Sequence, residues 1–219
     1  MRIFKKHELL DLITPYLPSN PVMVEAGTFD GTDTLKLAAH WPQATIHAFE
    51  PVPEIFELLE RATAHVPSIH RYNLALSNAN GTATFHVSEK PNRPNQPFKA
   101  GSLHEPHERL EWTSARYPRT ITVPTMKVDD WAKQHSVDHI DFFWLDAQGH
   151  ELAILQGAEE HLKNTRAIVT EVHFIDAYHG QPRYETIKEW LEERGFTQVA
   201  QDFTDQTTWF YGNALFVRG

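Results

Sequence analysis

Pro21-Val22-Met23-Val24-Glu25-Ala26-Gly27-Thr28-Phe29-Asp30-Gly31 is the stretch on which the reading of the fold turns. An apolar run of this length, closed by turn residues, predicts a strand buried on both faces. Gly27 and Gly31 permit a sharp turn and a close approach of a ligand to the backbone. The helical segment from Thr32 then aims its unpaired N–H groups back at that turn, which favours a carboxylate or phosphate there. The competing reading is a glycine turn that serves packing alone.

Working outward, Thr45–Phe49 reads as a second buried strand ending in Glu50 and Pro51. Glu50 follows the glycine turn by about 20 residues, the interval at which nucleoside-binding folds place an acid on the ribose hydroxyls. The same carboxylate also suits the start of a helix over Pro53–Arg61. Strands and helices continue to alternate: a helix over Thr32–His40, a third strand over Ser68–Ala75, a helix over Val128–Gln134 and a strand over Ile140–Leu145. Alternation of this kind predicts an α/β fold, a doubly wound and mostly parallel sheet with helices on both faces. Phe196–Phe203 and Trp209–Arg218 are joined by a connection too short for a crossover, so the sheet is expected to end in an antiparallel hairpin.

Composition narrows the function classes. The chain has 219 residues, 41% of them hydrophobic, and a formal net charge of -9. That charge, without clustered Lys and Arg, argues against a nucleic-acid surface. The absence of cysteine excludes disulfides, cysteine-zinc sites and thiol catalysis. Residues Met1–Asn20 place Leu9, Leu10, Ile13 and Leu17 at helical spacing between charged residues, which predicts a helix packed on the domain and neither a signal peptide nor a membrane span. A cytoplasmic protein without a membrane partner is the expectation. From Pro21 to Gly219 a single domain is expected, with a hairpin and lid inserted over about residues 82–119. Within that insert Thr82–Ser88 alternates as a strand, and Ile121–Val123 follows it as another. Between them, prolines break any regular element and Lys90, Arg93, Lys99, Arg109, Arg116 and Arg119 gather positive charge. Phe98, Leu103, Leu110, Trp112 and Tyr117 would be costly to leave bare, so this lid is expected to fold over the substrate.

The second informative run is Asp141-Phe142-Phe143-Trp144-Leu145-Asp146-Ala147-Gln148-Gly149-His150-Glu151. It places Asp146 at the C-terminal end of a buried strand, the edge at which open parallel sheets bind ligands. Ala167–Thr170 gives the next strand, ending in Glu171, Val172 and His173. Alternation puts Glu171 and His173 on one face, so that Asp146, Glu171 and His173 could hold a divalent metal or deprotonate a hydroxyl. His150 is a weaker base candidate.

Three runs together carry a resemblance: Val24-Glu25-Ala26-Gly27 through Gly31, Ala48-Phe49-Glu50-Pro51, and Asp141 through Glu151 to Leu155-Gln156-Gly157-Ala158. The chain resembles the FkbM-type methyltransferases, a branch of the class I, Rossmann-like S-adenosylmethionine-dependent fold, over about Val22 to Phe216. In that family the third run usually contains Asp-x-Glu-Gly-x-Glu; Asp146, Gly149 and Glu151 match, and Gln148 replaces a Glu. The resemblance implies a seven-stranded sheet with its last strand antiparallel, and methyl transfer from S-adenosylmethionine to oxygen. It implies that Glu25 orients the methionine amino end, that Gly27, Thr28, Phe29, Asp30 and Gly31 pass beneath the cofactor, and that Glu50 holds the ribose, with Pro51 and Asp146 also against the cofactor. Asn73, Ala75 and Leu76 would edge the adenine. Asp146 with His173, supported by Glu171, is the expected catalytic group acting on a hydroxyl of a sugar, glycan or natural-product-like small molecule, with no metal ligand assigned. Two alternatives stand beside it. An NAD-dependent oxidoreductase is permitted by Glu50 but lacks the middle glycine of G-x-G-x-x-G and has the wrong terminal hairpin. A non-catalytic cofactor-binding module finds its foothold in Gln148.

Overall fold

A computed structural model describes residues 2–5, 8–205 and 209–219, with the side chains of Pro94 and Asn95 excepted. Among the described residues, twelve strands and eight α-helices follow one another in chain order. They are β1 (Arg2–Ile3), α1 (Leu9–Ile13), β2 (Val22–Ala26), α2 (Thr32–His40), β3 (Thr45–Phe49), α3 (Pro53–Thr63), β4 (Ile69–Tyr72), β5 (Ala75–Leu76), β6 (Gly81–Lys90), β7 (Arg93–Pro97), α4 (Arg109–Trp112), β8 (Arg116–Met126), α5 (Val128–His135), β9 (Phe142–Leu145), α6 (Glu151–Gln156), α7 (Glu159–Leu162), β10 (Ala167–His173), α8 (Tyr184–Glu192), β11 (Phe196–Gln201) and β12 (Tyr211–Arg218).

The main sheet runs β1-β11-β12-β10-β9-β2-β3-β4. Of these strands, only β12 runs against its neighbours, antiparallel to both β10 and β11. The seven expected strands are therefore present, and the pair β1 and β11 adds a two-residue parallel edge. Successive side chains of a strand enter opposite layers. Val24 and Ala26 of β2 thus join Trp131, Leu155, Ile187 and Leu191 on the α5 to α8 side. Met23 joins Ile13, Leu37 and Leu59 on the side of α1 to α3. Burial on both faces explains why β2, β3, β9 and β10 read as nearly continuous apolar runs rather than as alternating ones.

The ends of the chain differ from the helical reading of residues 1–20. Arg2–Ile3 is strand, and the helix spans only Leu9–Ile13 before a 3-10 turn over Thr14–Tyr16, because Pro15 and Pro18 cannot continue an α-helix. Met1, Lys6 and His7 of that expected helix lie outside the described residues, as do Gln206, Thr207 and Thr208 between the last two strands.

The insert forms a second sheet, β5-β8-β6-β7. The expected third strand is split accordingly: Ile69–Tyr72 stays in the main sheet and Ala75–Leu76 pairs with β8. The short strand expected at Ile121–Val123 extends over Arg116–Met126, and Arg93–Pro97 pairs with β6 inside the expected loop. Proline is tolerated here because Pro118 falls where the β6–β8 register shifts between Val87 and Glu89. Phe85, Val87 and Val123 of this sheet pack on Val52, Ile55 and Ala75, which holds the insert over the C-terminal edge of the main sheet.

Candidate functional site

At that edge a cleft of about 920 Å³, open mouth included, lies between the ends of β2, β3 and β9 below and the insert above. Gly27, in a left-handed conformation, begins its floor. A Cβ there would sit 1.8 Å from the Asp146 carbonyl oxygen, so the backbone that needs this glycine is the protein's own. The turn after β2 and the turn after β9 are thereby locked together. Gly31 serves α2 in the same way: a Cβ there would stand 3.0 Å from Leu59 and 3.0 Å from Thr63 of α3. Packing, the competing reading of these glycines, accounts for both.

Glu25 is buried on the cleft wall, and its Oε2 has no hydrogen-bond partner. Burial raises its carboxyl to about 8. Glu50 is equally buried and also held near 8 by desolvation. Its Oε2 accepts the Phe29 N–H at 3.1 Å and its Oε1 accepts the Val52 N–H at 2.9 Å. Val52 is the residue that opens α3, so Glu50 caps the helix and stands on the cleft wall at once.

Thr28, Phe29, Pro51, Ala75, Leu76 and Asp146 share that wall. Asp30, Gly31 and Asn73 do not. The Asp30 carboxylate turns back to accept the Thr32 N–H at 3.1 Å, and the Asn73 amide donates to the Glu50 carbonyl at 2.9 Å, so both act by holding the turns. Sequence reasoning did not place Asp33 or the insert residues Phe85, Val87 and Ser88 at the site, expected Lys99 and Phe98 only in a lid over the substrate, and marked Gln148 only as a departure from the family pattern.

The Asp146 group divides. Asp146 faces the cleft, whereas Glu171 and His173 lie outside its lining. Between them stands Gln148, whose Nε2 donates to Asp146 Oδ1 at 2.6 Å and to Glu171 Oε1 at 2.8 Å. Burial raises the Glu171 carboxyl well above its ordinary value, and nearby Asp146 adds to the rise. His173 is 1% exposed, with Nε2 3.5 Å from Glu171 Oε1, and burial pushes it down to about 3. Strand alternation placed Glu171 and His173 on one face correctly, but that face meets Gln148 before it meets the cleft. Among the described residues no group of three or more acids, histidines or cysteines is arranged to hold a metal ion.

Glu151 closes the turn after β9 by accepting the Ala147 N–H at 2.8 Å and the Gly149 N–H at 3.0 Å. His150 lines the cleft with both ring nitrogens engaged, Nε2 3.0 Å from Ser77 Oγ and Nδ1 3.1 Å from His104 Nε2. The His179 carbonyl, 3.0 Å from His104 Nδ1, can only accept, which fixes the neutral tautomers. Nδ1 is protonated on both rings, and Ser77 donates to His150. Neither nitrogen of His150 is left to take a substrate proton.

The residues present fit an adenosyl cofactor. An orphaned buried carboxylate oxygen suits an ammonium, and Glu50 retains lone pairs for paired hydroxyls. The profile of the Methyltransferase FkbM domain family matches residues 25–197. The 2-O-methyltransferase NoeI of Sinorhizobium fredii is 30% identical over 183 residues, covering 83% of this chain and 74% of the relative. The hexuronic acid methyltransferase AglP of Haloferax volcanii is 21% identical over 169 residues, covering 77% and 62%. Among solved structures, an rRNA methylase from Streptococcus thermophilus aligns with a TM-score of 0.54 at 12% identity, over 100% of this chain and 98% of that one. Magnesium protoporphyrin IX methyltransferase from Synechocystis PCC 6803 with bound SAH aligns at 0.50 and 10% identity, over 97% and 81%. At such identities these two likenesses show the fold alone, that of class I methyltransferases.

Proposed function

We infer the activity from the family to which the chain belongs: it is a member of the FkbM methyltransferase family, and its methyl donor is S-adenosylmethionine. The acceptor atom we propose is the oxygen of a hydroxyl on a sugar, glycan or natural-product-like small molecule. The names of two relatives, a 2-O-methyltransferase and a hexuronic acid methyltransferase, support that class. A nucleic-acid acceptor fits poorly with a net charge of -9. No helix among the described residues is long and apolar enough to cross a membrane.

The observation that carries the reading is the pair Glu25 and Glu50 on the wall of one cleft, with Asp146 on the same wall. Glu25 would take the methionine amino group, its unpartnered Oε2 supplying the acceptor. Glu50, fixed by two backbone N–H groups, would take the ribose hydroxyls. The sulfonium of the bound donor supplies an electrophilic methyl group and a good leaving group. What the protein adds is alignment and a place for the hydroxyl proton. Asp146 is the proposed acceptor of that proton, because Glu171 and His173 lie behind Gln148. Glu171 acts through Gln148, which holds the Asp146 carboxylate in one orientation.

Calorimetry with S-adenosylmethionine and with NAD tests the assignment of the cleft. Binding of the first and not the second is expected; the reverse would restore the oxidoreductase alternative. Loss of methyl transfer with retained donor binding in Asp146→Asn tests the base, and undiminished turnover in that variant would remove the role.

A further inference from the structure

Seven buried side-chain polar atoms of the described residues have no hydrogen-bond partner, and three of them lie in one neighbourhood: Arg109 Nε, Trp112 Nε1 and His173 Nε2. Leaving a buried polar group unpaired is costly, so a cluster of three points to polar groups that arrive with a ligand. The neighbourhood is compact. The Arg109 guanidinium lies 5.0 Å from the centre of the Trp112 ring and 5.4 Å from that of Tyr178. His173 packs 6.0 Å from Tyr178 and 6.1 Å from Tyr211.

Arg109 is only 7% exposed. A buried guanidinium is costly without an anion, and two aromatic faces offset only part of that cost. The Glu171 carboxyl acts on it electrostatically, and burial raises that carboxyl well above its ordinary value, which disfavours the anion. The Arg109 segment is held in place by the backbone: the His107 and Arg109 N–H groups donate to the Ala177 carbonyl at 2.9 and 3.3 Å.

Beside this cation stands an aromatic stack whose outer rings are exposed. Trp112 stacks on Phe210 at 5.0 Å and 21° and on Tyr211 at 5.8 Å and 23°. Phe210 and Tyr211 are 45% and 42% exposed, unusual for large rings that could have been buried. A pyranose ring has a C–H face, which suits flat aromatic rings, and a rim of hydroxyls, which suits unpartnered donors. None of Arg109, Trp112, Phe210 and Tyr211 lines the cofactor cleft, but Tyr211 is near enough to feel Asp146 on its wall. Tyr211 pairs with His173 across β12 and β10, and the charges of Glu171 and Asp146 both reach it.

We propose that Arg109, Trp112, Phe210 and Tyr211 form the acceptor subsite, and that it takes an anionic sugar, the ring lying on the aromatic stack and the anion on the Arg109 guanidinium. This rests on the reading of the chain as a methyltransferase acting on sugar-type hydroxyls, and it adds the charge of the acceptor and the residues that seat it.

Titration of the S-adenosylhomocysteine-loaded protein with D-glucuronate and with D-glucose, followed by calorimetry, tests the proposal. Glucuronate is expected to bind at least about tenfold more tightly than glucose, a factor worth about 1.4 kcal/mol. Arg109→Gln should abolish that preference, and Phe210→Ala should weaken both sugars while leaving folding intact. Equal binding of the two sugars, no sugar binding by a protein that still takes up S-adenosylhomocysteine, or an unaltered preference in a folded Arg109→Gln would each overturn it. Binding of S-adenosylhomocysteine is read separately in the same series. Its failure would count against the methyltransferase cleft, not against the subsite alone.

Discussion

The side-chain amide of Gln148 donates to the Asp146 carboxylate at 2.6 Å, and its second hydrogen goes to Glu171 at 2.8 Å. One neutral group thus separates two acids that would otherwise face each other inside the protein. Replacing Gln148 by Met keeps the length of the side chain and removes both donors. A loss on the order of 2 kcal/mol in stability is expected, as for hydrogen bonds to charged partners. If Gln148 orients Asp146 for proton removal, kcat falls while the KM for S-adenosylmethionine stays near its original value. Thermal unfolding and initial-rate kinetics check both parts. A Met variant with unchanged kcat would leave Gln148 with a structural role only.

Glu25 gives a prediction about protons. Desolvation raises its carboxyl to about 8, so in the ligand-free protein it is mostly protonated at pH 7. An ammonium placed against Oε2 would favour the carboxylate and expel that proton. Calorimetric titration of S-adenosylhomocysteine at pH 7, in buffers of different ionisation enthalpy, should therefore report release of roughly one proton per cofactor. Glu25→Gln should bind more weakly and release almost none. Equal proton release by the two proteins would place the titrating group elsewhere.

The main sheet was legible in the sequence because strands buried on both faces write long apolar runs between turn residues, as at Val22–Ala26 and Ala167–His173. The insert was less legible. Pro118 and Pro124 read as breakers, yet β8 runs through both, with Pro118 at a register shift. Glu25, Glu50 and Asp146 stand on the cleft wall because each lies at or just past the end of a strand on the C-terminal edge of the sheet, a position the apolar runs made legible. Glu171 and His173 shared that signature, but Gln148 intervenes between them and the cleft, and no periodicity reveals what stands between two strand ends. Gln148 itself was singled out only as a departure from a family pattern; its bonds to Asp146 and Glu171 show what the departure does.

Glu50 predicts a pH dependence of stability. Its carboxyl titrates near 8 in the folded protein, against an ordinary value of 4.5. Between those limits the folded state holds a proton that the unfolded chain has released, so this group's contribution to stability falls as pH rises from about 4.5 to 8. Glu50→Gln cannot ionise and lacks that slope. It also gives up one of the acceptors for Phe29 and Val52, which makes it the less stable protein at pH 5. The gap in melting temperature should narrow steadily towards pH 8.5. A gap independent of pH would show that Glu50 is ionised in the folded protein.

His150 and His104 join the insert to the main sheet in their neutral forms, and here the sign is reversed. Burial lowers His150 to about 3 and also lowers His104, both from an ordinary 6.5. Below pH 6.5 the unfolded chain takes up protons that the folded rings refuse, so the stability they contribute is present above pH 6.5 and is lost as pH falls towards 3. The physical reason is the 3.1 Å contact between His104 Nε2 and His150 Nδ1, where only one hydrogen fits. His150→Gln should flatten the acid limb, removing up to one proton of uptake, or about 1.4 kcal/mol per pH unit, between pH 6 and 4. Chemical denaturation at several pH values measures that slope directly. Because Gly101 and Leu103, next to His104 in the insert, line the cleft, the variant should also lose affinity for S-adenosylhomocysteine at pH 7. An unchanged acid limb together with unchanged affinity would mean that the two rings do not hold the insert down.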